Sequence, residues 1–328
     1  DDGVPFSSRN NLLSENERKN LIFFSNELRL AKKNFKKNQK IDLKKITKKL
    51  ESKNISIEYL DHLHPYNFRK VEEKDNISIL AGAIKCGKTR LIDHVFLMKR
   101  KPIIAIDGPA GSGKSTITKL IAKELNILYL DTGAMYRAIS WLIIKENIDY
   151  SKKSELKKLL KDISIIFKSN DLSQQDVFIN KICVTNEIRS QVISSIVSKI
   201  SSIKEIREFL VKEQKKIGIA GGLVAEGRDI GTTVFPEAEV KIFLTASIDE
   251  RAQRRKSEFK KEHNEEIDFE QLKKMIEKRD FEDSHREISP LSKANDATEL
   301  ITDGYSIDEV VKMIIDIYND KIPKEIQV

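Results

Sequence analysis

The sequence is poor in cysteine and contains no long apolar segment. Two of its 328 residues are cysteines, Cys86 and Cys183, and they lie far apart without the spacing of metal ligands. No apolar run approaches the roughly 18 residues that cross a bilayer, and no signal-peptide core is present. These absences predict a reduced protein of the cytoplasm that does not contact a membrane.

Histidines are few and scattered, whereas lysine is abundant. Of the five histidines, His62 and His64 could share one face of a strand, but an isolated pair of this kind is usually a surface feature. The formal net charge of +8 would suit either nucleic acid or an anionic nucleotide. Lysine runs such as residues 32–37 fall inside a predicted amphipathic helix. A solvated helix face explains them, and nucleic-acid binding is not expected.

The segment from Gly108 to Ser115 has the pattern of a phosphate-binding loop. It follows a short β-branched strand and opens an apolar-periodic helix, which is the context that G-x-x-x-x-G-K-[ST] requires. Its glycines let backbone N–H groups surround phosphate oxygens, while Lys114 reaches the β- and γ-phosphates and the Ser115 hydroxyl ligates Mg²⁺. The predicted ATP-binding residues are Gly108, Pro109, Ala110, Gly111, Ser112, Gly113, Lys114, Ser115 and Thr116.

A second segment, Gly82 to Thr89, matches the same pattern letter for letter. A working loop needs a helix of about 10 to 12 residues after its lysine, yet residues 90–97 have the composition of a strand. The apolar runs on either side of residues 86–88 instead predict a β-hairpin. We therefore interpret this second match as accidental.

The first hundred residues predict a small α+β domain. The chain begins without Met on a polar segment, which suggests a fragment of a longer protein. Ser14 and Glu17 form a capping box before a predicted helix, and a short helix and strands follow it. The apolar positions of this helix include Leu21, Phe24, Leu28 and Leu30.

This part of the chain resembles the C-terminal domain of pantoate-β-alanine ligase. The resemblance is carried by Asp2-Gly3, Ser7-Ser8-Arg9-Asn10, Leu13-Ser14 and the run from Gly87 to Asp93. It implies that Ser7, Ser8 and Arg9 contact ATP phosphates, with Phe6 in the same loop. A simple helix-capping loop is the alternative. The family's N-terminal nucleotide-binding domain is not in this chain, so ligation of pantoate and β-alanine is expected only of a full-length protein.

Strands alternate with helices after residue 101, which predicts an α/β fold with a parallel sheet and ligands at the carboxyl ends of its strands. A small β hairpin near residues 176–184 predicts an inserted subdomain, and a long charged helical region begins at Asp249. The predicted domains are 1–98 and 101–328, the latter with an insertion at about 150–215 and the charged helical region at about 249–286.

Several arginines and aspartates follow the predicted strands of this second part. They include Arg137, the pair Arg228 and Asp229, and the set Arg279, Asp283 and Arg286. Phosphoryl transfer requires positive charge held in place around anionic groups, and so many arginines near one phosphate loop favour an anionic acceptor over water.

From about Ile103 onward the chain closely resembles bacterial cytidylate kinase. The shared motifs are Gly108 to Ser115, Asp131-Thr-Gly-Ala-Met-Tyr-Arg137, Glu226-Gly-Arg-Asp-Ile-Gly-Thr232, Val234-Phe-Pro236, and Arg279-Asp with Asp283, Arg286 and Pro290-Leu291. The family's usual Asp is replaced by Glu226, and Asp131 receives no separate role.

The resemblance implies a P-loop nucleoside monophosphate kinase that uses ATP and Mg²⁺ to phosphorylate CMP or dCMP. It places Thr132, Arg137 and Arg228 near the CMP phosphate. It assigns cytosine recognition to Ser198, Arg207 and Asp229, and contacts with sugar and phosphates to Arg279, Asp283 and Arg286. The residues expected to act in catalysis are Lys114, Arg137, Arg228 and Asp229. The resemblance also implies that the charged region at about 249–286 acts as a lid, which carries Arg251, Arg254 and Arg255.

Two other functions are compatible with the sequence. The chain could be a P-loop kinase for another small acceptor, although a neutral acceptor would leave the arginines without partners. It could also be a non-enzymatic basic module that binds nucleotide or RNA, in which case it would bind RNA in a salt-sensitive manner without phosphorylating CMP.

Overall fold

The computed structural model describes residues 4, 7–169, 175–263 and 268–327. Within these ranges the chain forms two compact units. The first contains the residues up to Arg100 together with Pro323–Gln327, and the second contains Lys101–Ile322. None of the helices in the described ranges combines the length and the apolar character needed to cross a membrane.

The first unit packs helices against an antiparallel sheet. Strands β1, β2 and β3 lie side by side in that order, and β2 pairs with both neighbours. A 3₁₀ turn at Ser8–Leu12 precedes the first helix. The elements are α1 (Glu15–Asn38), α2 (Leu43–Glu51), β1 (Ser56–Leu63), β2 (Ile77–Cys86) and β3 (Thr89–Met98).

The buried face of α1 follows helical spacing. Ser14 and Glu17 form the predicted capping box. Leu21, Phe24, Leu28, Ala31 and Phe35 are buried in one cluster with residues of the sheet and α2. Leu30, which the sequence analysis placed among the apolar positions of this helix, is 41% exposed. It lies off the i, i+3, i+4 progression that its neighbours follow, so its side chain lies outside the core.

The second match to the phosphate-loop pattern is a hairpin, as predicted. Its first residues belong to β2, its last residue starts β3, and Cys86 pairs directly with Thr89. Gly87 supplies the positive φ of 60° that the turn requires. Because the backbone of β2 is engaged in strand pairing, its N–H groups cannot surround a phosphate.

The second unit is a three-layer α/β structure with a parallel sheet. The helices are α3 (Lys114–Glu124), α4 (Thr132–Lys145), α5 (Lys153–Lys161), α6 (Gln191–Ser202), α7 (Lys204–Ile217), α8 (Ile248–His263), α9 (Phe269–His285) and α10 (Ile307–Lys321). The strands are β4 (Ile103–Asp107), β5 (Leu128–Asp131), β6 (Ile165–Ser169), β7 (Gln175–Ile179), β8 (Ile182–Cys183), β9 (Leu223–Gly227), β10 (Val240–Thr245) and β11 (Thr298–Ile301).

The strand order positions the polar residues of this unit. The main sheet has the order β11-β10-β4-β9-β5, and its paired strands are parallel. The register pairs Asp107 with Gly227 and Asp131 with Glu226, so the carboxyl ends of β4, β9 and β5 meet at one edge. Ligands of such sheets bind at this edge.

A smaller antiparallel sheet, β6-β7-β8, is inserted between α5 and α6. Its buried residues Val177 and Ile179 pack with Ala134, Ala138 and Leu142 of α4. These elements confirm the predicted α/β fold with a parallel sheet and an inserted β subdomain, preceded by a small α+β unit.

Candidate active site

The phosphate loop begins where β4 leaves the sheet. Gly108 has a φ of 152°, and a Cβ at this position would lie 2.0 Å from the carbonyl oxygen of Leu244. Gly113 has a φ of 85° and is the N-cap of α3. Glycine is required at both positions because a side chain would collide with the neighbouring strand at the first and be strained at the second. The loop therefore has the geometry of a phosphate-binding nest at a helix N-terminus.

Lys114 lies inside this loop with only 6% of its surface exposed. Its Nζ donates to the carbonyl oxygen of Pro109 at 2.6 Å and contacts Ser112 Oγ at 3.3 Å. Burial, together with the nearby charge of Arg228, lowers the pKa of Lys114 well below its ordinary value. A buried ammonium beside another cation is stabilised by any anion that enters the loop.

Asp107 fixes the turn after β9 to the base of the phosphate loop. Its two carboxylate oxygens accept the backbone N–H groups of Ile230 and Gly231 at 2.8 and 2.7 Å. Burial raises the pKa of Asp107 to about 6 despite these hydrogen bonds. Arg228 and Asp229 directly precede Ile230 in the chain. The contact therefore holds them beside the phosphate loop, although they are more than a hundred positions from Asp107.

Ser115, the predicted Mg²⁺ ligand, is hydrogen-bonded to Glu226. Its Oγ donates to Glu226 Oε2 at 2.8 Å. The other oxygen of that carboxylate, Oε1, accepts from the Tyr129 hydroxyl at 2.5 Å. Burial, followed by the charge of Asp131, raises the pKa of Glu226. Thr116, the last residue predicted for the loop, is exposed in the first turn of α3.

Thr132 and Arg137 lie at the start of α4. The Thr132 hydroxyl donates to the backbone oxygen of Glu226 at 2.7 Å, so it is already engaged within the protein. Asp131 accepts the backbone N–H of Ala134 with Oδ1 at 2.8 Å and pairs through Oδ2 with Arg137 Nη2 at 3.0 Å. It therefore caps α4 and orients the arginine at the same time.

Arg228 and Asp283 form an ion pair across the site. Arg228 Nε lies 2.8 Å from Asp283 Oδ2, and both side chains are largely buried. Burial alone would raise the pKa of Asp283, but Arg228, Arg279 and Arg286 outweigh it and hold that pKa below its usual value.

Arg279 differs from the other arginines of the site. Among the described residues it makes no hydrogen bond or ion pair. Burial, followed by the charge of Arg228, lowers the pKa of Arg279 to about 10, although the carboxylate of Asp283 opposes this shift. The guanidinium group of Arg279 is thus close enough to those of Arg228 and Arg137 to be repelled by them.

Asp229 holds two further arginines. Its Oδ2 accepts from Arg207, whose side chain is 2% exposed, and its Oδ1 lies 3.5 Å from Arg286 Nη2. Arg207 also donates to the carbonyl oxygen of Ser201 at 3.1 Å, and its guanidinium faces the Tyr136 ring. Both oxygens of Asp229 are therefore engaged by cations.

Ser198 lies on α6 and meets α9 rather than this cluster. Its hydroxyl donates to Glu282 at 2.8 Å, next to Asp283 in the chain. The other predicted base-recognition residues, Arg207 and Asp229, are paired with each other. Of the three residues predicted for cytosine recognition, the structure therefore brings Arg207 and Asp229 together, whereas Ser198 contacts α9.

Two of the arginines expected on a lid are held by the core of the unit. Arg251 is buried, donates to the carbonyl oxygen of Ala110 at 3.1 Å and pairs with Asp280 at 2.5 Å. Arg254 donates to the hydroxyl and carbonyl oxygens of Thr302, both at 2.9 Å. These contacts connect α8 to the phosphate loop and to the residue that follows β11.

The donor atoms near the loop fit Mg²⁺. The described residues contain no group of three His, Cys, Asp or Glu side chains that could hold a metal by themselves. Ser115 and Glu226 supply oxygen atoms beside the phosphate loop. Mg²⁺ prefers oxygen ligands and is commonly held by one or two carboxylates together with substrate phosphates, which is the set available here.

The loop predicted to bind ATP in the first unit is a helix-capping turn in this structure. Ser7 Oγ accepts the backbone N–H of Arg9 at 3.2 Å and caps the short 3₁₀ turn. Ser8 and Arg9 are exposed, and Phe6 lies outside the described residues. This geometry agrees with the capping alternative and leaves the two exposed side chains accessible.

Sequence reasoning missed two contributors to the site. These are Asp107, which anchors the turn after β9, and Tyr129, which donates to Glu226 behind Ser115. Arg251 was expected on the lid, and its contact with the phosphate loop was not predicted. The family motif identified Asp131 and Glu226 without giving either a role. The position of Asp131 between a strand end and a helix start was the available sign of its capping function.

Comparisons with known proteins agree with the sequence motifs. A family model described as cytidylate kinase matches residues 104–320, and one described as pantoate-beta-alanine ligase matches residues 1–96. A curated protein of Prochlorococcus marinus subsp. pastoris strain MED4, called bifunctional pantoate ligase/cytidylate kinase, is 78% identical over 326 residues, which are 99% of this chain and 64% of that protein.

Other relatives carry the same name. The protein of Prochlorococcus marinus strain MIT 9312 is 72% identical over 327 residues, and that of strain NATL1A is 52% identical over 324 residues. The chain covers 64% of the first and 63% of the second, and is itself covered to 100% and 99%. It therefore spans less than two thirds of the length of these relatives, and both predicted resemblances are confirmed.

Proposed function

The chain belongs to the cytidylate kinase family, and on that premise we propose that its second unit transfers the γ-phosphate of ATP to CMP or dCMP, giving CDP or dCDP. The domain limits predicted from the sequence, 1–98 and 101–328 with the insertion and lid, are part of this proposal. The proposal also assigns residues Gly108 to Thr116 to ATP binding. It assigns a cluster of arginines to the nucleoside monophosphate, namely Arg137, Arg207, Arg228, Arg279 and Arg286.

The environment of Arg279 carries the proposal. This guanidinium is partly buried and lies near the cations Arg228, Arg137 and Arg255. Among the described residues it makes no hydrogen bond or ion pair of its own, because the nearby carboxylate of Asp283 is already paired with Arg228. Such an arrangement is unfavourable in isolation and becomes favourable when a phosphate group enters. A neutral acceptor would not supply that charge, whereas CMP and ATP bring it from both sides.

The other residues of the site have separate roles in the proposed reaction. Lys114 and the N-terminus of α3 would bind the β- and γ-phosphates, and Arg137, Arg228 and Arg279 would stabilise charge on the transferring group. Both oxygens of Asp229 are engaged by arginines, so its contribution would be to hold Arg207 and Arg286 in place. Since a phosphate nucleophile needs no proton removed, this role does not require Asp229 to act as a base.

Mg²⁺ bound with ATP would neutralise phosphate charge and is proposed as the cofactor. Ser115 would contribute a ligand, and Glu226 would lie beside it. The protein's own residues position the nucleotide beside this metal site. The phosphate loop orients the nucleotide, and the contact of Arg251 with Ala110 keeps the loop in shape.

A coupled assay with ATP, Mg²⁺ and each nucleoside monophosphate tests the proposal. We expect CMP and dCMP to be phosphorylated, and we expect Arg279→Met to raise the KM of CMP and lower kcat. Lys278→Met, a change at the exposed neighbour, is the matched control and should leave both constants unchanged. Preference for AMP or shikimate with CMP inert would refute the acceptor assignment. Tight, salt-sensitive RNA binding without CMP phosphorylation would favour the non-enzymatic alternative.

For the whole protein we also propose condensation of pantoate and β-alanine with ATP, supported by the family match of residues 1–96. Ser7, Ser8 and Arg9 would contribute phosphate contacts from the first unit. In a protein of the relatives' length, Arg9→Ala should raise the KM of ATP for pantothenate formation without changing CMP phosphorylation. An unchanged ligase KM would restrict this turn to helix capping.

A further inference from the structure

Tyr129 is a buried residue of β5 that the proposed phosphoryl transfer does not use. Its side chain is 3% exposed, and its hydroxyl donates to Glu226 Oε1. Lys119 Nζ lies 5.8 Å from the centre of its ring, and the side chain of Gln175 donates to its backbone oxygen. The phenol is thus held from several sides and directed at one carboxylate oxygen.

Glu226 is in turn fixed by hydroxyl groups on both of its oxygens. Oε1 receives the Tyr129 hydroxyl and Oε2 receives Ser115 Oγ. The carboxylate itself is 4% exposed, so water offers little alternative hydrogen bonding. If one hydroxyl is removed, the carboxylate loses the contact that fixes its rotation about the last side-chain bond.

We propose that Tyr129 is a positioning residue for the metal-dependent part of nucleotide binding, because its hydroxyl orients Glu226 and thereby the Ser115 hydroxyl beside the phosphate loop. The inference rests on the proposed function insofar as Ser115 is taken to ligate Mg²⁺. It assigns Tyr129 no contact with ATP, CMP or the metal.

The effect should be confined to binding that requires Mg²⁺. Without the phenol hydroxyl, Ser115 Oγ can turn toward other acceptors, whereas the glycines and backbone N–H groups of the phosphate loop are unchanged. Affinity for ATP in the absence of Mg²⁺ and the KM of CMP should therefore stay the same. The gain in ATP affinity on adding Mg²⁺ should fall about 10- to 150-fold, the range expected for one hydrogen bond to a charged group.

The test is calorimetric titration of ATP into the full chain with and without Mg²⁺, for the wild type and Tyr129→Phe. Tyr318→Phe removes another buried phenol hydroxyl in α10 and serves as the control. Kinetics supply a second readout. In Tyr129→Phe, raising the Mg²⁺ concentration should restore kcat while the KM of CMP does not change.

A double variant distinguishes positioning from a general structural role. Since Tyr129 is proposed to act through Ser115, Tyr129→Phe should add little to the defect of Ser115→Ala. An equal Mg²⁺-dependent gain in wild type and Tyr129→Phe would overturn the proposal, as would full additivity with Ser115→Ala. If Tyr129→Phe fails to fold, Glu226→Gln should show the same selective loss, and an unchanged gain there would also refute it. No acceptor is present in the calorimetry, so an error in the CMP assignment would leave this result interpretable.

Discussion

Asp229 should contribute more to the stability of the second unit than Arg207 does, although the two form one ion pair. Asp229 is shared by Arg207 and Arg286, whereas Arg207 has a carbonyl group and an aromatic ring as additional partners. Asp229→Asn leaves two guanidinium groups without their carboxylate. Arg207→Met leaves Asp229 still paired with Arg286.

The expected magnitudes follow from burial. Arg207 is 2% exposed and Asp229 is 5% exposed, so water cannot replace the lost partner. Breaking a buried pair by removing one member typically costs about 3–5 kcal/mol, which we expect for Asp229→Asn. For Arg207→Met we expect about 2 kcal/mol, the loss of a hydrogen bond to a charged group with the charge still compensated. The double variant should be less destabilised than the sum by about 1 kcal/mol or more.

Urea unfolding followed by tryptophan fluorescence measures these changes. Trp141, the single tryptophan of the sequence, lies in α4 of the second unit and packs against its buried residues, so it reports this unit. With a slope of about 3 kcal/mol per molar urea, Asp229→Asn should lower the midpoint by about 1–2 M. Lys153→Met breaks the exposed pair with Glu205 and should shift stability by less than about 0.5 kcal/mol.

The reasoning would be refuted if Asp229→Asn were no more destabilising than Arg207→Met, or if both cost less than about 1 kcal/mol. Strict additivity in the double variant would also contradict it, because the two side chains would then not act as a pair.

Three further changes test the site. Lys114→Ala should lower kcat/KM by about 100-fold or more in the coupled assay, because charge stabilisation at the phosphates is lost, whereas Lys123→Ala on the exposed face of α3 should not. Asp131→Asn keeps the cap of α4 but loses its ion pair with Arg137, so the KM of CMP should rise about fivefold, equivalent to about 1 kcal/mol. Asp107 has its pKa raised by burial to about 6, so the native state binds its proton more tightly than the unfolded chain. Relative to Asp107→Asn, the wild type should therefore lose up to about 3 kcal/mol of stability as the pH rises from about 4 through 6 in urea titrations.

For each of these three predictions, one experimental result would contradict it. Equal activity of the two lysine variants would place the phosphate site elsewhere. A collapse of α4 in Asp131→Asn, seen as lost helicity, would mean that the cap and not the ion pair dominates. Parallel pH profiles for Asp107→Asn and the wild type would show that the carboxyl titrates as an ordinary exposed group.

Local features of this chain could be predicted from its sequence because their causes are local. The phosphate loop depends on glycines at Gly108 and Gly113, and the capping box at Ser14 depends on a residue three positions away. The hairpin that mimics a second phosphate loop was recognised because a strand-like run follows it. Leu30 is apolar like the buried positions of α1, and the helical phase of those positions is what places it outside the core.

Contacts across the site could not be predicted in the same way. Ser115 and Glu226 are 111 residues apart, and they meet because β9 lies between β4 and β5. The pairing of Arg228 with Asp283 depends equally on where α9 returns to the sheet. Motifs identified which residues belong to the site. The partner of each residue depended on the strand order, which hydrophobic periodicity does not encode.

The first unit is built from two segments that are far apart in the chain, so its folding depends on the order in which the chain is synthesised. Its last contribution, the turn at Lys324–Ile326, contacts β3, and Ile326 is buried. All of Lys101–Ile322 is translated between these two parts, which takes roughly 10–50 s at about 5–20 residues per second. During that interval β3 lacks its covering turn, while the kinase unit emerges continuously. On the ribosome, the first unit is thus completed only after Lys101–Ile322 has been translated.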